Sequence, residues 1–129
     1  MLTTMTGPSG IMLEINSVER DQGGFITVSG QLKNTGPKGF AQMAAWRGDE
    51  KNASAGSIAG ATIVDKAGKK RYYVLRDTEG RCLCTMGLTS IPAGGTVPVF
   101  AQFPATPATT SEVEFAIPTF AAVTVKISG

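Results

Sequence analysis

Across the last third of the chain, apolar side chains recur at every second residue in three runs. Val97, Val99, Ala101 and Phe103 form the first, Val113, Phe115 and Ile117 the second, and Val123, Val125 and Ile127 the third. A period of two places each set on one face of an extended backbone, so each run predicts a strand with one buried side. Upstream, Leu13 with Ile15, and Ile26 with Val28 and Leu32, follow the same rule. Between them lies Asp21-Gln22-Gly23-Gly24, whose glycines supply positive φ without steric penalty, so the two segments predict a hairpin. Val18 falls out of step with Leu13 and Ile15, which predicts a bulge near Ser17.

The remaining segments are read from the same signals. Residues 1–10 form a flexible lead-in, and residues 11–129 a single domain. Phe40 to Arg47, with the single tryptophan Trp46, predicts a strand crossing to a second sheet, and the Ala-, Ser- and Gly-rich stretch from Gly48 to Gly60 a long loop. Ala61 to Asp65 and Arg71 to Arg76 predict a hairpin across Lys66-Ala67-Gly68-Lys69-Lys70, and Arg81 to Thr85 a further strand after the turn Asp77-Thr78-Glu79-Gly80. Turn signals recur every ~8–12 residues, the spacing of a sandwich. The predicted fold is therefore all-β, an immunoglobulin-like antiparallel sandwich of two sheets and about 7–8 strands. Its expected core is Leu13, Ile15, Ile26, Val28, Leu32, Trp46, Val74, Val99, Phe115, Val123 and Val125. Trp46 belongs there because Met43, Ala44 and Ala45 beside it are apolar, with its N–H expected to find a carbonyl.

Composition sharpens this. The 9 Val, 8 Ile and 15 Thr against 6 Leu favour pleated sheet, where β-branched side chains pack well. A length of 129 residues suffices for one core without metal. The net charge of +2 gives no electrostatic footprint for a nucleic-acid partner. No apolar run approaches the ~20 residues of a membrane span. Residues 1–10 have neither the basic region nor the apolar core of an export signal.

Candidate chemistry is sparse. Cys82 and Cys84 stand one residue apart, so in a flat strand their Cα atoms lie roughly 6.5–7 Å from each other. A disulfide between them needs a bend or bulge, and is expected if the chain is exported; otherwise both are small buried side chains. Zinc needs about four ligands, and the chain has no histidine and no third cysteine, so no metal and no cofactor is expected. Asp65, Asp77 and Glu79 are read as turn carboxylates rather than as an acid–base pair or calcium ligands. The densest basic run, Lys66, Lys69, Lys70, Arg71, Arg76 and Arg81 with Tyr72 and Tyr73, has two readings. It guards a strand edge, or Lys69, Lys70, Arg71 and Tyr73 form a surface for an anion or glycan. Alternation puts Arg71 and Tyr73 opposite Tyr72 and Val74, which splits that cluster over two faces. Asn52-Ala53-Ser54 matches a glycosylation acceptor pattern. No serine lies in a nucleophile elbow and neither cysteine has a histidine partner, so no catalytic residue is assigned.

Three phrases carry a family resemblance: FITVSGQLKNTG, ATIVDKAGKKRYYVLRDTEGRCLC, and IPAGGTVPVFAQFPA with VEFAIPTFAAVTVKIS. The hairpin end at Asn34, the turn from Asp65 to Tyr72, the Phe100 to Pro104 phrase and the Ile117 to Phe120 corner are its landmarks. Over residues 11–128 the chain resembles a bacterial, actinobacterial-type family of exported immunoglobulin-like sandwich domains, whose relatives include a small secreted mycobacterial antigen. The RDTEGRCLC phrase is similar to cell-surface proteins in which such a domain precedes a peptidoglycan-binding one. The resemblance implies an extracellular or cell-surface interaction or spacer module without catalytic activity. Alternatives from the same residues are a domain binding a glycan or anionic cell-wall ligand, and an accessory domain of a larger peptidoglycan-associated protein. The partner is accordingly a protein or a cell-wall glycan.

Overall fold

The computed structural model describes residues 2–42, 44–47 and 56–129. Among these residues eight strands build two antiparallel sheets that share one core. The first holds β1 (Thr3–Thr6), β2 (Ile11–Arg20), β3 (Ile26–Asn34) and β6 (Thr96–Phe103), in the order β1-β2-β3-β6. The second holds β4 (Thr62–Asp65), β5 (Lys70–Tyr73), β7 (Glu112–Ala116) and β8 (Val123–Lys126), in the order β5-β4-β7-β8. The chain changes sheet after β3, β5 and β6, so β6 returns to β3 and β7 to β4. This is the two-sheet sandwich that the alternation predicts, paired as in immunoglobulin-like domains.

Period two is realised strand by strand. In β3 every second residue is buried, from Ile26 through Val28 and Leu32 to Asn34, and β6 beside it buries Val99, Ala101 and Phe103. Phe103 meets Phe115 of β7 edge-on, ring centres 6.2 Å apart, and so joins the two sheets. The bulge falls where Val18 loses step: Ile15 pairs with Gly30 and Ser17 with Ser29, leaving Asn16 without an opposite residue. The extra residue drives the Glu14 carbonyl toward β3, where a Cβ on residue 30 would collide with it. Glycine is required at that point by close approach.

Several expectations are corrected. The expected lead-in is not loose over Thr3–Thr6, which pairs with Met12 to Ile15 and buries Met5. A four-residue strand with a single buried side chain leaves no period to read. Phe40 to Arg47 is not a strand. Phe40 makes one isolated bridge to Ile91, and Ala44–Arg47 is a 3-10 turn. That turn still buries Trp46 fully, stacked on Phe40 and tilted against Phe120, each 5.5 Å away between ring centres. Its indole N–H donates to the Thr119 hydroxyl at 3.0 Å, not to a carbonyl. Arg81 to Thr85 forms only isolated bridges, through Cys82 and Cys84. In the expected core Val123 is only half-buried, whereas Ile11, Ile63 and Ile91 are fully buried outside that core, and Phe103 joins it from the buried face of its run. Ile58, within the expected loop, is buried too; residues 48–55 of that loop, the Asn52-Ala53-Ser54 pattern and Met43 lie outside the described residues.

Two substitutions test this packing. Phe115→Ala removes a ring at the centre of the sandwich and is expected to cost about 3–5 kcal/mol in denaturant unfolding. A loss below about 1 kcal/mol would contradict its burial. Gly30→Ala is expected to cost about 1–3 kcal/mol by forcing the bulge apart, although it adds only one methyl group.

Candidate functional site

The second sheet turns its polar side outward, and its register defines what that face presents. Residues alternating with the buried ones along β4, β5, β7 and β8 line up in cross-strand rows. One row is Arg71, Val64, Glu114 and Thr124, and the next is Tyr73, Thr62 and Ala116. Glu112 lies opposite Lys126. At the end of this face a groove of about 390 Å³ opens between the β4–β5 turn and the connection from β6 to β7. Val64, Ala67 and Pro107 line it with apolar groups, and Glu112, Glu114, Ser111 and Thr124 supply polar ones. Lys66 reaches across to Glu114, ammonium to carboxylate 3.2 Å.

The two walls are tied together from below. Asp65, the last residue of β4, is buried, and one of its carboxylate oxygens accepts the Gly68 N–H at 3.2 Å. The other accepts the Thr110 hydroxyl at 3.0 Å, which links the β4–β5 turn to the opposite wall. That wall is in turn held by Arg20 of β2, which donates to the Thr106 hydroxyl at 2.9 Å and to the carbonyls of Pro107 and Thr110 at 3.2 and 2.9 Å. Asp65 therefore does what its position at a turn suggests and also something the sequence did not disclose, a bond to a residue 45 positions away. The hint lay in Thr106 to Ser111, hydroxyl-rich between prolines, but no local rule says where such hydroxyls point.

The basic cluster is distributed rather than gathered. Arg71 and Tyr73 stand on the outer face, with Tyr73 65% exposed. Lys70 turns the other way and lies over the Tyr72 ring, 5.1 Å from its centre. Lys69 occupies the left-handed position that closes the turn, its N–H donating to the Lys66 carbonyl. Arg76 and Arg81 belong to the following turn, Arg76 donating to the Gly80 carbonyl at 3.0 Å and Arg81 near Glu79 at 3.9 Å. Asp77 accepts the N–H groups of Glu79 and Arg81 at 2.9 and 3.0 Å, so this carboxylate is committed to its own turn. One lysine and one arginine on the short edge strand β5 also deter pairing with a foreign strand.

A disulfide joins Cys82 to Cys84, with Cα atoms 5.2 Å apart, closer than a flat strand allows. The backbone bends at Leu83 to achieve this. The bent segment lies along β6, where Thr85 N–H donates to the Phe100 carbonyl and Gln102 N–H to the Leu83 carbonyl. Among the described residues no group of three or more His, Cys, Asp or Glu side chains is placed to hold a metal, and no helix is long and apolar enough to cross a membrane.

No family model, no curated protein and no solved structure matches this chain.

The groove's foundation is testable. Thr110→Val keeps the side-chain shape but leaves the Asp65 carboxylate short of a buried donor, and is expected to cost about 1–3 kcal/mol by denaturant titration. Amide exchange at Gly68 is expected to quicken in the same variant.

Proposed function

We propose that the protein is a non-catalytic, exported or cell-surface interaction module that meets its partner with the outer face of the β5-β4-β7-β8 sheet. The observation that carries this reading is the groove itself, a concave site of about 390 Å³ whose walls are locked by the Asp65–Thr110 bond, set beside exposed Arg71 and Tyr73. Concavity with a few convergent polar groups is what ligand sites share, and aromatic and arginine side chains are the residues that dominate recognition. Export is supported by the Cys82–Cys84 disulfide, since such bonds persist in oxidising compartments, and by the resemblance to exported sandwich domains. A binding role rather than catalysis is supported by the lack of any histidine and by the engagement of both cysteines with each other. The resemblance further suggests a cell-wall polymer or a wall-associated protein as partner.

Two measurements test this. Fractionation of the cell that makes the protein is expected to find it outside the cytoplasmic membrane. Labelled protein is expected to bind purified cell-wall sacculi saturably, and Arg71→Ala with Tyr73→Ala to reduce that binding at least about tenfold without lowering the melting temperature. Binding that is absent, or unchanged in the double variant, would remove this face as the recognition surface.

A further inference from the structure

We propose that the groove beside Val64 is a subsite for an uncharged saccharide, with the sugar chain leaving it along the sheet toward Tyr73. This rests on the reading of the outer face as a recognition surface and adds the chemistry of the ligand. Charge is the first argument. Glu112 and Glu114 both border the groove, but Lys66 pairs with Glu114 and Lys126 stands opposite Glu112 in the register, two carboxylates against two ammonium groups. A polyanion meets the two carboxylates, and a polycation meets Lys126 on the strand beside Glu112 and has to displace Lys66 from Glu114. A neutral ligand meets neither obstacle.

Hydrogen-bonding capacity is the second. Carboxylates only accept, ammonium groups only donate, and the hydroxyls of Ser111 and Thr124 do both. A ligand that uses all three kinds must itself offer many groups that donate and accept, which is the character of a polyol. Shape is the third. Sugar rings have C–H faces as well as hydroxyl edges, and the groove matches this with apolar Val64, Ala67 and Pro107 beside its polar groups. Its volume of about 390 Å³ lies in the range of small-molecule sites. The Asp65–Thr110 bond and the Arg20 contacts fix both walls in advance, so little ordering is left to oppose binding.

The direction of the chain follows from register. Beyond Val64 on β4, two residues along the outward side, lies Thr62, and opposite Thr62 stands Tyr73. Thr62 and Ala116 are small, so the strip between groove and ring is low, and the exposed Tyr73 ring offers an apolar surface to a further sugar.

The test is titration of the isotope-labelled intact chain with maltose, cellobiose, N,N′-diacetylchitobiose and the longer oligomers of each, followed by amide chemical shifts. Saturable shifts confined to residues 64–68, 107–114 and 124 for at least one sugar are expected. Glu114→Gln with Thr124→Ala is expected to weaken that binding about tenfold. Thr124 is exposed and Glu114 half-buried on the outer face, and an unchanged spectrum elsewhere verifies that the variant is intact. Longer oligomers are expected to bind more tightly, and Tyr73→Ala to remove that gain while leaving the disaccharide unaffected. Sugars that leave the groove residues unmoved, shifts located elsewhere, or binding that survives the double variant would overturn the assignment. So would a tetralysine or tetra-aspartate peptide that perturbs the groove more strongly than any sugar. If sacculi are still bound through Arg71 and Tyr73 in those cases, the saccharide subsite fails and the interaction-module reading stands.

Discussion

A sandwich must carry its backbone from one sheet to the other, and each passage takes peptide groups out of a ladder while they are still partly buried. Leaving such groups unpaired costs more than a typical hydrogen bond gains, so every passage needs a polar side chain to stand in for the missing strand. The buried polar residues among those described, Asn34, Ser57, Asp65, Thr106 and Thr110, all lie at the ends of strands or in the segments between them. Asn34 closes β3, its amide donating to the carbonyls of Lys38 and Ile91 at 2.8 and 2.9 Å while its oxygen accepts from Gly36 at 2.9 Å. Ser57 accepts the Ala59 N–H before β4 begins. Asp65 and Thr110 satisfy each other across the second sheet.

That requirement has a functional by-product. The side chains that meet the polar cost of leaving a ladder also immobilise the segments they hold, and the groove lies between two of these, the β4–β5 turn and the crossing from β6 to β7. Arg20 illustrates the reach of the effect. It sits at the far end of β2, yet its guanidinium holds the 106–110 segment that forms one groove wall, so a first-sheet residue shapes a second-sheet site. A rigid concavity on the sheet face thus arises from fold maintenance. The outward side chains that line it stand apart from that duty: Glu112 and Thr124 are exposed, and half-buried Glu114 pairs with Lys66 on the outer face.

The sequence disclosed those parts of the molecule that obey a period and concealed those that obey a shape. Runs such as Ile26 to Leu32 and Val97 to Phe103 announce their buried faces because every second residue faces the same environment. The misplaced Val18 even located the bulge, although not its companion, the glycine at position 30 that the displaced Glu14 carbonyl demands. Thr3–Thr6 and the Phe40 to Arg47 segment were misread because a single buried side chain in a short element gives no repeat. At the candidate site, the split of Arg71 and Tyr73 from Tyr72 followed from alternation. The meeting of Asp65 with Thr110 did not, because it depends on two separate loops coming to the same end of the sandwich.

The disulfide is best understood from its small span. In the chain-entropy view the stabilisation grows with the logarithm of the loop closed, so a loop of about three residues contributes only about 1.6 kcal/mol, roughly half that of a 15-residue loop. Its effect is therefore local. By drawing Cys82 and Cys84 together it forces the bend at Leu83, and the bent segment can then offer its backbone to β6 only at Leu83 and Thr85, on either side of Cys84. The result occupies the β6 edge at Phe100 and Gln102 without extending the sheet by a full strand. At the edge of the other sheet β5 is protected by length and charge, four residues beginning with Lys70 and Arg71. The two sheets thus solve the same problem, an exposed ladder that invites foreign strands, by different means. The β5 edge borders the outer face on which the groove opens.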